Sequence, residues 1–156
     1  EIPESAIDAL IEALRWAPSA GNLQSRKFYF VFNEEIRKKL GQAELKRDFA
    51  SFIARAPLVV VACVDLHIAT RYGERGTQLY CIQDAAASIQ NLLLAAHELG
   101  LGTCWVGAFS EERIAGILDL PDNLRPVAVI PVGYPARTPK APERVARDVA
   151  VKIVAH

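Results

Sequence analysis

The sequence contains no methionine, three cysteines, three histidines and no surplus of either charge. Lys plus Arg and Asp plus Glu stand at 18 each, so no global field favours nucleic acid or an anionic membrane as a partner. Cys63, Cys81 and Cys104 are odd in number, far apart and without C-x-x-C spacing, which argues against a disulfide framework or a zinc site. They read instead as small hydrophobes of a protein kept in a reducing cytoplasm. His67, His97 and His156 share no ligand spacing, so no metal is expected. The longest apolar segment, 79–99, contains Gln83, Asp84, Gln90, Asn91, His97 and Glu98 and is too polar for a bilayer core. No signal peptide is recognisable. Because Met is absent even at position 1, residues ahead of Glu1 are expected outside this numbering.

Several nucleotide and hydrolase signatures are missing too. There is no G-x-x-x-x-G-K-[ST] phosphate loop and no G-x-S-x-G elbow, and no Ser, His and acid pattern stands out. Gly100, Gly102 and Gly107 imitate a dinucleotide fingerprint. That fingerprint needs strand, glycine turn and helix, whereas here a helix precedes the glycines and a strand follows them. The glycines serve as a helix stop.

What remains is a chain of 156 residues, 51% apolar and 23% charged, enough for one domain with a real core. Ile7, Leu10, Ile11 and Leu14 recur at helical spacing, so 3–16 should be an amphipathic helix. Pro18 and Gly21 break it into a loop. Segment 27–32 is aromatic and β-branched on both faces, as in a strand buried from both sides. Two short helices are expected at 34–40 and 44–54, then a wholly apolar strand at 58–64. Segment 65–76, with Arg71, Tyr72, Gly73, Arg75 and Gly76, reads as a polar, mobile loop. Segment 77–99 is apolar nearly all round, the mark of a buried central helix. A short strand at 103–106, a helix capped by Ser110 and a strand at 127–132 follow. The tail is rich in Pro and Arg and ends in 149–154, a candidate edge or exchanged strand. The expected class is α+β, a sheet with helices packed on it around one long central helix, within a single domain spanning 1–156.

Ser19, Asn22 and Gln24 place hydroxyl and amide groups in a Pro/Gly-punctuated loop. Composition alone allows two readings: turn residues ending a helix, or a hydrogen-bonding rim for a flat polar ligand. Ala-Pro-Ser-Ala-Gly-Asn-Leu-Gln at 17–24, Arg-Tyr-Gly-Glu-Arg-Gly at 71–76, and the block 83–109 (Gln-Asp-Ala-Ala-Ala-Ser-Ile-Gln-Asn through Gly-Thr-Cys-Trp-Val-Gly-Ala-Phe) resemble the nitroreductase family of FMN enzymes. The similarity runs in one order from Ile2 to about Val154.

The resemblance implies an α/β sandwich with a central mixed or antiparallel sheet flanked by helices. It also implies an intertwined homodimer, with the long helix and two FMN sites at the interface. Pro18, Ser19, Ala20, Asn22 and Gln24 would border the flavin ring bound to the partner subunit. The backbone of Gly107 and Ala108 would lie beside the ring, and Arg144 and Arg147 would hold the phosphate, with Lys140 a lesser candidate. Tyr72 and Arg75 would contact substrate from a covering loop, although a plain surface loop explains them as well. Trp105 and Phe109 fit core packing best. An Arg-Arg-Ser-x-Arg-like phosphate-binding segment normally precedes the family's first helix and is missing from the numbered residues.

The activity implied is ping-pong transfer of hydride from NADH or NADPH through flavin N5 to a nitroaromatic, quinone or similar small-molecule acceptor. The flavin does the chemistry, so no side chain is named as catalytic. Two alternatives stay open: another chemistry of the same superfamily, such as dehalogenation or flavin fragmentation, and a flavin-storing or non-catalytic dimer.

Overall fold

The computed structural model describes residues 1–44 and 52–155. Helix α1, Glu4–Arg15, turns Ala6, Leu10 and Leu14 inward at i, i+4 spacing, with Glu4 in its first turn and Arg15 in its last, matching the macrodipole. Strand β1 is Arg26–Val31, helix α2 Glu34–Gln42 and strand β2 Leu58–Asp65. Helix α3, Cys81–Glu98, is followed by strand β3 (Gly102–Thr103), helix α4 (Glu111–Leu118) and strand β4 (Leu124–Gly133). The sheet order is β1-β2-β4-β3, antiparallel throughout.

Alternation along β2 divides the core. Leu58, Val60 and Ala62 face α1 and α3, where Leu10, Leu14, Ile89, Leu92 and Ala96 meet them. Val59, Val61 and Cys63 face the other way, onto Leu40, Ala43 and Ile114 from α2 and α4. The result is three layers, helices on both faces of one sheet. Strand β4 carries two prolines, and each coincides with an irregularity. The β2 register shifts between Ala62 and Cys63, opposite Pro126. Pro131 lies two residues from Val129, whose N–H donates to Val106 at 3.0 Å. Position 131 therefore faces the same neighbour with no N–H to give, and β3 stops at Thr103, resuming only as an isolated bridge at Val106.

Several expectations are corrected. Segment 27–32 was expected to be buried on both faces, but β1 is an edge strand and most of its side chains are half-buried. Phe28 and Phe30 pack on the α1 and α3 side of the core, Tyr29 and Val31 on the α2 and α4 side, and Lys27 sits over the Tyr29 ring at 5.6 Å. Segment 65–76 is not an irregular loop. It winds through helical turns Leu66–Ala69, Thr70–Tyr72 and Gly73–Arg75 and a wide π-turn, Gly76–Tyr80, into α3. The Asp65 carboxylate caps the first turn by accepting from Ile68 N at 3.1 Å. Gly76 packs so closely on the Ala69 carbonyl that a Cβ would sit 2.1 Å from it.

Helix α3 is not buried all round in a single chain, since Leu94 is 61% exposed. Nor does 149–154 form a strand: the tail makes one turn at Arg147–Ala150, and residues 134–155 are exposed, Val149, Ile153 and Val154 among them. The helix expected at 44–54 falls largely outside the described residues. Glu44 itself bridges Phe109, and 52–55 is helical.

Candidate functional site

The loop after α1 follows an unusual path. Gly21, Asn22 and Gln24 all lie in the left-handed region, at φ 54°, 56° and 53°. Asn tolerates that region; Gln does so at a cost of about 1–2 kcal/mol. Ser19 Oγ accepts from Gln24 N at 3.0 Å and closes the turn. Gln24 Nε2 donates to the Asn22 carbonyl at 3.3 Å. Pro18, Gly21, Asn22 and Gln24 are exposed, and Ser19 and Ala20 are half-buried. The polar rim expected from sequence is therefore open to solvent.

Two side chains that sequence reading passed over hold the loop from beneath. Arg26, at the start of β1, donates to the carbonyls of Pro18 (2.9 Å), Ala17 and Arg15 (3.4 Å). Asp84, in the first turn of α3, accepts from Ala20 N at 3.0 Å. Arg26 also donates to the Asp84 carbonyl at 3.4 Å. Burial pulls the Arg26 guanidinium below its ordinary value, and the nearby Asp84 charge opposes this. Further up α3, Ser88 Oγ and Asn91 Nδ2 donate to the carbonyls of Leu14 and Ala13 at 3.0 and 3.1 Å, fixing the point where the loop leaves α1.

Tyr72 reaches the loop. A Cβ on Gly21 would lie 2.0 Å from its hydroxyl. Its ring meets Tyr80 edge-on at 5.8 Å, and Arg75 lies over Tyr80 with Nε donating to the hydroxyl at 3.0 Å. Tyr72 and Arg75 thus belong to one cluster beside Gly21.

Gly107 and Ala108 lie elsewhere. They follow Val106, which pairs across the sheet in the row Tyr29, Val61, Val129, Val106. Three strand spacings separate the ends of that row, about 14 Å. Gly107 is exposed, with no atom within 4 Å of where its Cβ would be, so a flat group could lie against its backbone. Trp105 is 43% exposed, against the core position expected of it, whereas Phe109 is buried. Arg144 and Arg147 sit in the exposed tail, and the Arg144 guanidinium bonds the carbonyls of Pro142 and Glu143 at 3.3 Å each. One chain therefore assembles the 17–24 loop with Tyr72 and Arg75, and leaves both 107–108 and the tail arginines apart from it.

Among the described residues, no cluster of three or more His, Cys, Asp or Glu could hold a metal ion. No helix among them is long and apolar enough to cross a membrane. The three cysteines are free.

The architecture is that of the nitroreductase fold. A nitroreductase family protein from Clostridium novyi NT superposes with a TM-score of 0.79 at 28% identity, covering 86% of this chain and 75% of that one. The Nitroreductase family model matches residues 1–48 and 42–134, and the chain belongs to that family. Several relatives are named as NAD(P)H oxidoreductases, and one from Haliscomenobacter hydrossis, 25% identical over 178 residues, is named as an iodotyrosine deiodinase. A Methanothermobacter thermautotrophicus protein, provisionally named NADH dehydrogenase/NAD(P)H nitroreductase, is 34% identical over 143 residues, 89% of this chain and 70% of the relative. The FMN reductase (NADPH) of Bacillus subtilis is 25% identical over 156 residues, 88% of this chain and 61% of the relative.

Proposed function

We propose that the protein is a single-domain, cytoplasmic, FMN-dependent NAD(P)H oxidoreductase that works as a homodimer. The observation that carries this reading is the division of the site. The polar 17–24 loop leads into β1 at one edge of the sheet, while Gly107 follows the bridge to β4 on the side away from β1, a division that supports a ligand shared between two copies. The residues fit a flavin. An exposed hydroxyl-and-amide rim suits the polar pyrimidine edge, and the open face at Gly107 admits a ring against main-chain N–H groups. The name of the Bacillus subtilis relative supports FMN as that ligand.

In this reading Pro18, Ser19, Ala20, Asn22 and Gln24 border the ring held by the other subunit. Gly107 and Ala108 offer backbone donors beside the ring, and Arg144 and Arg147 meet the phosphate with forked guanidinium groups. The detached tail, with Val149, Val151, Ile153 and Val154 exposed, has apolar side chains to lay on a second copy. Tyr72 and Arg75 line the approach to the open face and touch the acceptor. FMN held there would supply hydride chemistry at N5 between NADH or NADPH and a nitroaromatic, quinone or similar acceptor, in ping-pong order. The chain's own contribution is to orient the ring and stabilise its anionic reduced form, leaving one face open.

Flavin retention after gel filtration tests the site map. Asn22→Ala and Arg147→Ala should each lower the FMN retained per subunit. Unchanged flavin in both variants would refute the assignment, and a monomer by light scattering at micromolar concentration would refute the shared site.

A further inference from the structure

The left-handed path of the 17–24 loop is costly, and the bonds within it, from Gln24 N to Ser19 Oγ and from Gln24 Nε2 to the Asn22 carbonyl, are joined by others from outside. Two non-glycine residues, Asn22 and Gln24, hold positive φ within three positions, and such clusters persist only where surrounding contacts over-determine them. Two side chains on different elements supply the polar contacts that reach the loop from outside. Asp84 is 7% exposed; one carboxylate oxygen accepts from Ala20 N, and the other, Oδ2, is buried with no hydrogen-bond partner among the described residues. A carboxylate left so poorly satisfied on a buried helix face adds little to stability. The Arg26 guanidinium spends its donors on main-chain carbonyls of Arg15, Ala17, Pro18 and Asp84, a fork that spans the whole entry to the loop.

We propose that Asp84 and Arg26 are positioning residues that hold the 17–24 loop in its left-handed path before flavin arrives, so that Ser19, Asn22 and Gln24 meet the ring already arranged. This rests on the FMN reading above. Neither side chain needs to touch the ring. Arg26 fixes the carbonyls entering the turn and Asp84 fixes the amide at its apex. Preorganisation of this kind removes an ordering cost from binding.

The test uses Asp84→Ala, Asp84→Asn, Arg26→Ala and Arg26→Lys, with two readouts: amide exchange of flavin-free protein and the Kd for FMN. In Asp84→Ala the Ala20 and Gln24 amides should exchange at least tenfold faster while those of Leu10 and Val60 are unchanged, and FMN should bind at least fivefold more weakly. Asp84→Asn keeps an acceptor for Ala20 N and should restore both. Arg26→Lys keeps the charge but cannot span several carbonyls, so it should behave like Arg26→Ala. Faster exchange throughout the sheet and α1 would make the pair merely structural and overturn the proposal. Local loosening with FMN affinity within twofold of wild type would overturn it too, as would unchanged exchange at Ala20. If wild-type protein binds no FMN, the functional reading fails, and the exchange arm still decides whether the pair holds the loop. If Asp84→Ala does not fold, Asp84→Asn against Arg26→Lys gives the same comparison.

Discussion

Replacing Gly21 by alanine perturbs the loop in two separable ways. The backbone stays at φ +54°, where an alanine is worse than glycine by about 1–2 kcal/mol. The new Cβ also falls 2.0 Å from Tyr72 Oη and 2.9 Å from Cζ, so the ring must leave. Tyr72 is 43% exposed and can swing into solvent. What it forfeits is the edge contact with Tyr80, worth about 0.5–1.5 kcal/mol. Together the two parts come to roughly 1.5–3.5 kcal/mol. In a Tyr72→Ala background only the backbone part remains, so Gly21→Ala should cost less there by about 0.5–1.5 kcal/mol. Urea unfolding of the four proteins at one fixed protein concentration measures this coupling, with unchanged slopes required. An equal cost in both backgrounds would show that Tyr72 does not rest on the loop, and the placement of the Tyr72–Arg75 cluster would fall with it.

Other outcomes follow from single contacts. Burial pushes the Cys63 thiol up to about 12, so it should stay unalkylated by iodoacetamide in native protein at pH 8 and react once unfolded. The associated stability is intact below the ordinary thiol value and is lost as pH rises from there toward about 12, because only the unfolded chain ionises in that window. Ser110→Ala removes the acceptor for Arg113 N at the start of α4 and should cost about 1 kcal/mol by denaturation. Arg125→Ala breaks a two-pronged pair with Glu111, both bonds 2.8 Å, yet should cost less than about 1 kcal/mol because both side chains are nearly half exposed. Arg125 holds the Glu111 carboxyl below its usual value, so this contribution is present at neutral pH and fades as pH falls through the lowered value.

Local patterning made much of the fold legible. The spacing of Leu10 and Leu14 defined α1, and the apolar run from Leu58 marked a strand covered on both faces. The misreadings arose where a distant contact decides. Segment 65–76 looks polar and broken, and its turns depend on the Asp65 cap and on the fit of Gly76 against Ala69. Aromatic β1 reads as buried from both sides, and its pattern does not reveal that only one of its edges is paired, which leaves most of its side chains half-buried. The same holds for the site. The polar groups at 19, 22 and 24 were visible, and the 83–109 block pointed to their family. Arg26 and Asp84 were not visible, since a lone Arg beginning a strand and a lone Asp in a helix look like ordinary surface charges until folding places them under the loop. That 17–24 leads into one edge of the sheet and 107–108 follows the bridge to β4 on the side away from β1 comes from strand order, which no local pattern encodes.

The central claim, that this chain builds a flavin site able to accept hydride from a nicotinamide, is tested most directly by an anaerobic absorbance titration of FMN-reconstituted protein with NADH and NADPH. The account predicts yellow protein whose flavin absorbance bleaches stoichiometrically with one or both nucleotides and returns when a quinone is added. Colourless protein that takes up no added FMN, or bound flavin that neither nucleotide reduces, would contradict it.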